Sequence, residues 1–114
     1  MIRDAGEADL AQIGEIYAHH VLTGLASFEE VPPGAAELAA RMAAVRALGL
    51  PYLVMEEGGR ILGYSYATLF RTRSAYRFTL EDSVYVRDGE HGRGAGGALL
   101  AALLERCARG PWRQ

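Results

Sequence analysis

The chain has 114 residues, half of them apolar and 23% charged, the balance of one globular domain over residues 1–114 with enough hydrocarbon to bury a core. Its 12 basic and 14 acidic residues leave a net charge of -2 and give no basic surface for nucleic acid. Cys107 is the one cysteine, which excludes an internal disulfide and a cysteine-based zinc site and points to a reducing compartment.

No uninterrupted apolar run is long enough to span a bilayer, and the N-terminus enters an amphipathic pattern at once. The expectation is a cytoplasmic protein without membrane contact. A short strand is expected first. Between Glu7 and Val21, the residues Leu10, Ile13, Ile16, Tyr17 and Val21 recur at three-and-four spacing and predict a core-facing helix. His19 and His20 are adjacent on that helix, so their side chains diverge by about 100° and do not readily share a metal; both read as structural or exposed. Gly24 to Val31 lacks the helical period and ends in the breaker Pro32-Pro33-Gly34. A second helix is predicted over Ala35–Leu48, stopped by Gly49 and Pro51.

Tyr52 to Met55 and Arg60 to Ala67 read as two antiparallel strands, because Glu57-Gly58-Gly59 supplies the positive φ of a hairpin turn. After an Arg-containing connection, Phe78 to Val86 is again extended, with Leu80, Asp82, Val84 and Val86 on one face and Thr79, Glu81, Ser83 and Tyr85 on the other. A glycine-rich loop over Gly89–Gly97 leads into a helix from Ala98, whose Leu99, Leu100, Leu103, Leu104 and Cys107 form an apolar stripe. Gly110-Pro111 ends that helix, and the chain reads as one unit, interrupted at its C-terminal side.

A strand that runs into a glycine-rich turn at a helix N-terminus gathers unpaired backbone N–H groups at one spot, and the helix dipole adds positive potential there. Such a turn is a pyrophosphate cradle. A nucleoside-triphosphate loop requires Lys-Ser or Lys-Thr after its last glycine, and Gly97-Ala98-Leu99 has neither. A dinucleotide loop requires an acidic ribose ligand further on, which the chain does not supply. The loop alone also fits a connection that binds nothing.

The run Gly92-Arg93-Gly94-Ala95-Gly96, followed by Ala98-Leu99-Leu100, resembles the acetyl-CoA pyrophosphate signature of the GNAT superfamily of N-acetyltransferases. His91 stands where that signature usually opens with Gln or Arg. Further landmarks are similar to those of the phosphinothricin and methionine-sulfone (sulfoximine) acetyltransferases: Ala26-Ser27-Phe28-Glu29-Glu30, Gly49-Leu50-Pro51-Tyr52, Gly63-Tyr64-Ser65-Tyr66-Ala67, and Arg71 to Arg77 with Glu81-Asp82-Ser83-Val84-Tyr85. The resemblance implies an α/β fold, with a mixed, mostly antiparallel sheet flanked by helices and the closing C-terminal strands missing.

It also implies transfer of the acetyl group of acetyl-CoA to the primary amine of a small amino-acid-like substrate, with no metal, in a homodimer. Glu81 is then the general base; read without the resemblance, it is a surface carboxylate beside an arginine. The cofactor would lie along Val84, Tyr85 and Val86 and in the cradle of His91, Gly92, Arg93, Gly94, Ala95, Gly96 and Gly97. The substrate would meet Arg71 and Arg73, whose forked donors suit a carboxylate, together with Phe28, Glu29 and Tyr76. Solvated loop arginines and an apolar plug at Phe28 are the plainer alternatives. Because the family continues with further strands and a helix, a chain confined to these residues would alternatively be a non-catalytic piece that binds CoA weakly or serves as an interaction module.

Overall fold

The computed structural model describes residues 1–23, 34–71, 78–89 and 94–109. In chain order these form β1 (Ile2–Asp4), a short 3-10 turn, α1 (Leu10–Leu22), α2 (Ala35–Ala47), β2 (Tyr52–Glu57), β3 (Arg60–Arg71), β4 (Phe78–Val86) and α3 (Ala95–Arg109). The strands make one four-stranded sheet in the order β1-β2-β3-β4. Every neighbouring pair is antiparallel. The β2–β3 hairpin closes through Gly58 and Gly59, at φ 59° and 83°. Paired positive φ values fit the right-handed twist of the flanking strands and are strained for residues with a Cβ.

The N-terminal strand is tied down by charge. Arg3 donates to both carboxylate oxygens of Asp9 at 2.8 Å and also pairs with Glu56. The guanidinium holds the Asp9 carboxyl below its ordinary range.

Helices cover both faces of the sheet. On one face α3 lays Leu99, Leu103 and Cys107, each no more than 2% exposed, against β3 and its neighbours. Close approach there depends on Gly63, where an added Cβ would lie 2.7 Å from the Tyr85 carbonyl oxygen and 2.9 Å from Leu99 Cδ1. Ser65 donates its hydroxyl hydrogen to the Leu99 carbonyl at 3.3 Å. Leu100 and Leu104 are 38% and 39% exposed, so the buried stripe is narrower than the leucine run predicts. Two adjacent leucines differ by about 100° around the axis, and only the i, i+4 set meets the sheet.

On the other face, α1 buries Ile13, Ile16, Tyr17, His20 and Val21, while α2 buries Leu38, Met42 and Val45. They cover a row of tyrosines. Tyr52 and Tyr66 stack with ring centroids 4.9 Å apart, and Tyr64 and Tyr85 at 5.1 Å. The strand pairing explains the row, because Tyr52 is opposite Tyr66 and Tyr64 is opposite Tyr85 on one pleated surface.

Two boundaries differ from the periodicity. β3 continues past Ala67 to Arg71, so Arg71 ends a strand, not a loop, because its pairing with β4 runs on to Phe78. α3 begins at Ala95 and takes Gly96 and Gly97 into its first turn. Lacking a side chain, Gly96 lets that turn pass close to Val86, whose Cγ2 lies 3.4 Å from the site an added Cβ would take.

Candidate active site

Among the described residues β4 is an edge strand, and its alternation decides what that edge offers. Arg87 N–H donates to the Leu62 carbonyl at 2.7 Å, and the register continues as Gly63 opposite Val86 and Tyr64 opposite Tyr85. In an antiparallel ladder such bonding alternates by residue, so Tyr85 spends its N–H and C=O on β3, while those of Val84 and Val86 point outward. The Val86 carbonyl accepts from Nε2 of His20 at 3.0 Å.

Beyond β4 the chain reaches the start of α3. Gly94 has φ 79°, and Ala98 N–H returns to the Gly94 carbonyl at 3.0 Å. The N–H groups of Ala95, Gly96 and Gly97 precede that first helical bond and so have no acceptor within the helix. No acidic residue lies in the first turn to compete for them. A Cβ built on Gly94 or Gly97 meets nothing within 4 Å, so the approach to this N-terminus is open. The outward strand backbone and the helix start, close together where Gly96 rests on Val86, suit an elongated amide-bearing chain that ends in phosphate.

Glu81 sits on β4 directly opposite Thr68. Its side chain is exposed, on the tyrosine face. Thr68 also lines a cavity of about 300 Å³ between α2 and that face, walled by Tyr52, Tyr64, Tyr66 and the aliphatic side of α2. Glu81 is therefore one ladder rung from a residue of the pocket wall, and Cβ atoms opposite one another in such a ladder lie about 4.5–5.5 Å apart. Arg41 closes part of the wall, with its guanidinium 5.9 Å above the Tyr17 ring and its Nε donating to Glu37 at 3.1 Å.

A second set of contacts was not apparent from the sequence. α1 grips the end of β4 just before the glycine turn. His20 is 8% exposed, bonds Val86 and packs edge-on against the Tyr85 ring. His19 approaches Asp88 at 3.7 Å. Arg87 reaches Gln12 and Glu15 from Nη2 at 3.2 and 3.3 Å, while its Nε donates to the Ile61 carbonyl at 2.7 Å. The signal for His20 was present: it falls four residues after Ile16, on the apolar face, where a polar ring has to find a partner. No comparable pattern marks Arg87.

Of the residues expected at the site, Glu81, Val84, Val86, Gly94, Ala95, Gly96 and Gly97 come together along β4 and the start of α3, with Tyr85 turned inward. Phe28, Glu29, Arg73, Tyr76, His91, Gly92 and Arg93 lie outside the described residues, as does the side chain of Arg71. Among the described residues, no group of three or more His, Cys, Asp or Glu is placed to hold a metal ion, and no helix is long and apolar enough to cross a membrane.

An antiparallel sheet between helices, with a bare strand edge leading to a glycine-opened helix, is the architecture of an acyl-CoA N-acyltransferase. Residues 15–110 match the Acetyltransferase (GNAT) family, and the chain belongs to it. Within the family it is 58% identical, over 113 residues, to phosphinothricin N-acetyltransferase of Alcaligenes faecalis, covering 99% of this chain and 57% of that protein. It is 38% identical over 108 residues to the L-methionine sulfoximine/L-methionine sulfone acetyltransferase of Salmonella typhimurium, covering 95% and 63%. The phosphinothricin acetyltransferase of Sinorhizobium meliloti, solved with acetyl-CoA, superposes with a TM-score of 0.85 at 48% identity, over 94% of this chain and 58% of that one. The chain thus spans less than two thirds of the length of each.

Proposed function

We propose that the protein transfers the acetyl group of acetyl-CoA to the primary amine of a small amino-acid-like acceptor of the phosphinothricin, methionine sulfone or sulfoximine type. The observation that carries this reading is the single course of β4: Glu81 on its face, the outward backbone of Val84 and Val86 on its edge, and the open N-terminus of α3 beyond its end. Acetyl-CoA would supply the thioester carbonyl for the amine's attack; as the C–N bond forms the C–S bond breaks, and CoA leaves as a thiolate that takes up a proton to become the free thiol.

The chain's own groups do the rest. Val84 offers both an N–H and a C=O to the pantetheine amides, and Val86 offers its N–H. Tyr85 acts through its ring, stacked on Tyr64, which keeps the strand in place. The Ala95, Gly96 and Gly97 N–H groups meet the pyrophosphate together with His91, Gly92, Arg93 and Gly94. An amino acid's amine is protonated near neutral pH, and Glu81 accepts that proton directly or through water, freeing the nitrogen lone pair. Arg71 and Arg73 hold the acceptor's carboxylate, with Phe28, Glu29 and Tyr76 around it. Family membership supports a homodimer, and Cys107, a buried thiol outside any disulfide, suits the cytoplasm.

The test is thiol release from acetyl-CoA with methionine sulfone or phosphinothricin as acceptor, paired with calorimetric binding of acetyl-CoA. Saturable binding and acceptor-dependent thiol release are expected. An absence of acetyl-CoA binding under conditions where the chain melts cooperatively would sink the proposal.

A further inference from the structure

The end of β4 is held by a side chain for which acetyl transfer has so far no use. Arg87, the first residue after the strand, donates its backbone N–H to the Leu62 carbonyl and its Nε hydrogen to the neighbouring Ile61 carbonyl, both at 2.7 Å. β3 is irregular at that spot. Met55 is opposite Gly63 while Glu56 is opposite Ile61, which leaves Leu62 as an extra residue. Such a bulge takes backbone groups out of the regular ladder and bends the strand. Side chains take up those of Ile61: Gln12 Oε1 accepts from its N–H at 2.8 Å, and Arg87 donates to its carbonyl.

The other end of the same guanidinium reaches α1. Nη2 donates to Gln12 at 3.2 Å and to Glu15 at 3.3 Å, and Gln12 donates in turn to the Gly59 carbonyl at 3.0 Å. One largely buried fork therefore joins β4, β3 and α1. A guanidinium is rigid in its plane, so contacts at both ends fix its direction as well as its position, whereas an ammonium is a single point and cannot span them.

The neighbours of this anchor give it a role. Arg87 follows Val86, against whose side chain Gly96 of α3 rests, and it precedes the turn at Gly89, where φ is 87°. The anchor thus adjoins both the outward N–H of Val86 and the contact between β4 and the first turn of α3. We propose that Arg87 is a positioning residue for the cofactor: through Ile61, Gln12 and Glu15 it fixes the spacing between the edge of β4 and the start of α3 without touching the cofactor. The proposal rests on the reading that acetyl-CoA lies along β4 with its pyrophosphate at α3. A ligand that spans both places feels a change in that spacing. One that ends on the strand does not, because the β3 ladder and His20 still hold β4 there.

Calorimetry with acetyl-CoA and with acetyl-pantetheine, the same thioester arm without the pyrophosphate, tests this. Arg87→Lys keeps the charge and one donor, loses the fork, and is expected to melt cooperatively. It should bind acetyl-CoA about tenfold more weakly, the size of effect seen for residues that act through others, with acetyl-pantetheine affinity and kcat at saturating acetyl-CoA unchanged. Arg87→Ala should lose as much, since the fork matters and the charge does not. Gln12→Ala breaks the fork from the α1 side and carries the same expectation should an Arg87 variant fail to fold. Equal weakening of both ligands would reduce Arg87 to a structural anchor, and parental affinity in Arg87→Lys would make it a charge acting on the phosphates; either overturns the proposal. The parent separates it from the reading beneath. Acetyl-CoA bound no more tightly than acetyl-pantetheine by the parent would sink the cofactor's course from β4 to α3, and this role with it. A parent that prefers acetyl-CoA, with variants that match it, would sink the role of Arg87 alone.

Discussion

The two faces of the sheet are built to opposite standards. Under α3 the packing is so close that Gly63 has no room for a methyl group, and Leu99, Leu103 and Cys107 fill the layer with small-to-medium apolar groups. Under α1 and α2 the same strands present large rings, two of them with buried hydroxyls lacking partners, and leave about 300 Å³ unfilled. That pocket opens to the surface, so the helices cover this side of the sheet less completely than α3 covers the other. The tight face sets the geometry of β4 and of the helix start beside it. The loose face leaves a pocket, with Thr68 in its wall directly opposite Glu81.

Substitutions on the two faces should therefore separate stability from turnover. The largest expected effect is that of Glu81→Gln, which removes the proposed proton acceptor while keeping the shape. kcat should fall by about 10²–10⁴-fold with the melting temperature unchanged, because the side chain is exposed. A variant retaining parental kcat would remove Glu81 from the chemistry.

Next is Leu103→Ala on the tight face, expected to cost about 2–5 kcal/mol of stability in denaturant unfolding. The same truncation at Leu38, on the pocket wall, should cost visibly less, because the open space already there forfeits some of the contacts that Leu103 enjoys. Equal costs at the two sites would erase the contrast between the faces. Gly63→Ala follows, at about 1–3 kcal/mol for overpacking. One of the atoms its Cβ would meet is a backbone carbonyl of β4, which has no rotamer to escape into. A melt indistinguishable from the parent's would mean that β3 and β4 yield where the close packing says they are fixed.

How much of this could be read from the residues themselves followed the range of the forces involved. Strand alternation and helical spacing are local, so the element order, the tyrosine-bearing face and the opposite facing of Glu81 and Asp82 were readable from neighbours in sequence. The glycine-opened start of α3 was readable too, because it needs only glycines at a strand-to-helix junction. Leu100 and Leu104 misled, since composition counts every leucine while only one azimuth of the helix meets the sheet. The cavity was not readable, because a void is a sum over residues from α1, α2, β2 and β3. Nor was the bond from His20 to Val86, which spans 66 positions of sequence. Tyr64 and Tyr66 pack on one face as their alternation in β3 requires, yet the lack of a hydrogen-bond partner for the Tyr64 hydroxyl among the described residues is a property of its surroundings.

The smallest effect expected is also the one that joins the faces. His20 reaches from α1, on the loose side, to the carbonyl of Val86, the residue on which Gly96 of α3 rests from the tight side. His20→Phe keeps a ring against Tyr85 and removes the donor, leaving a carbonyl that the rest of β4's ladder does not need. The stability cost should be about 1 kcal/mol. If the bond also fixes the outer edge of β4 and the turn after it, acetyl-CoA should bind roughly fivefold more weakly, the same free energy expressed as an affinity, with kcat at saturation unchanged. A purely structural bond would lower the melting temperature and leave that affinity alone, and the two faces would then be independent layers joined only by the strands they share.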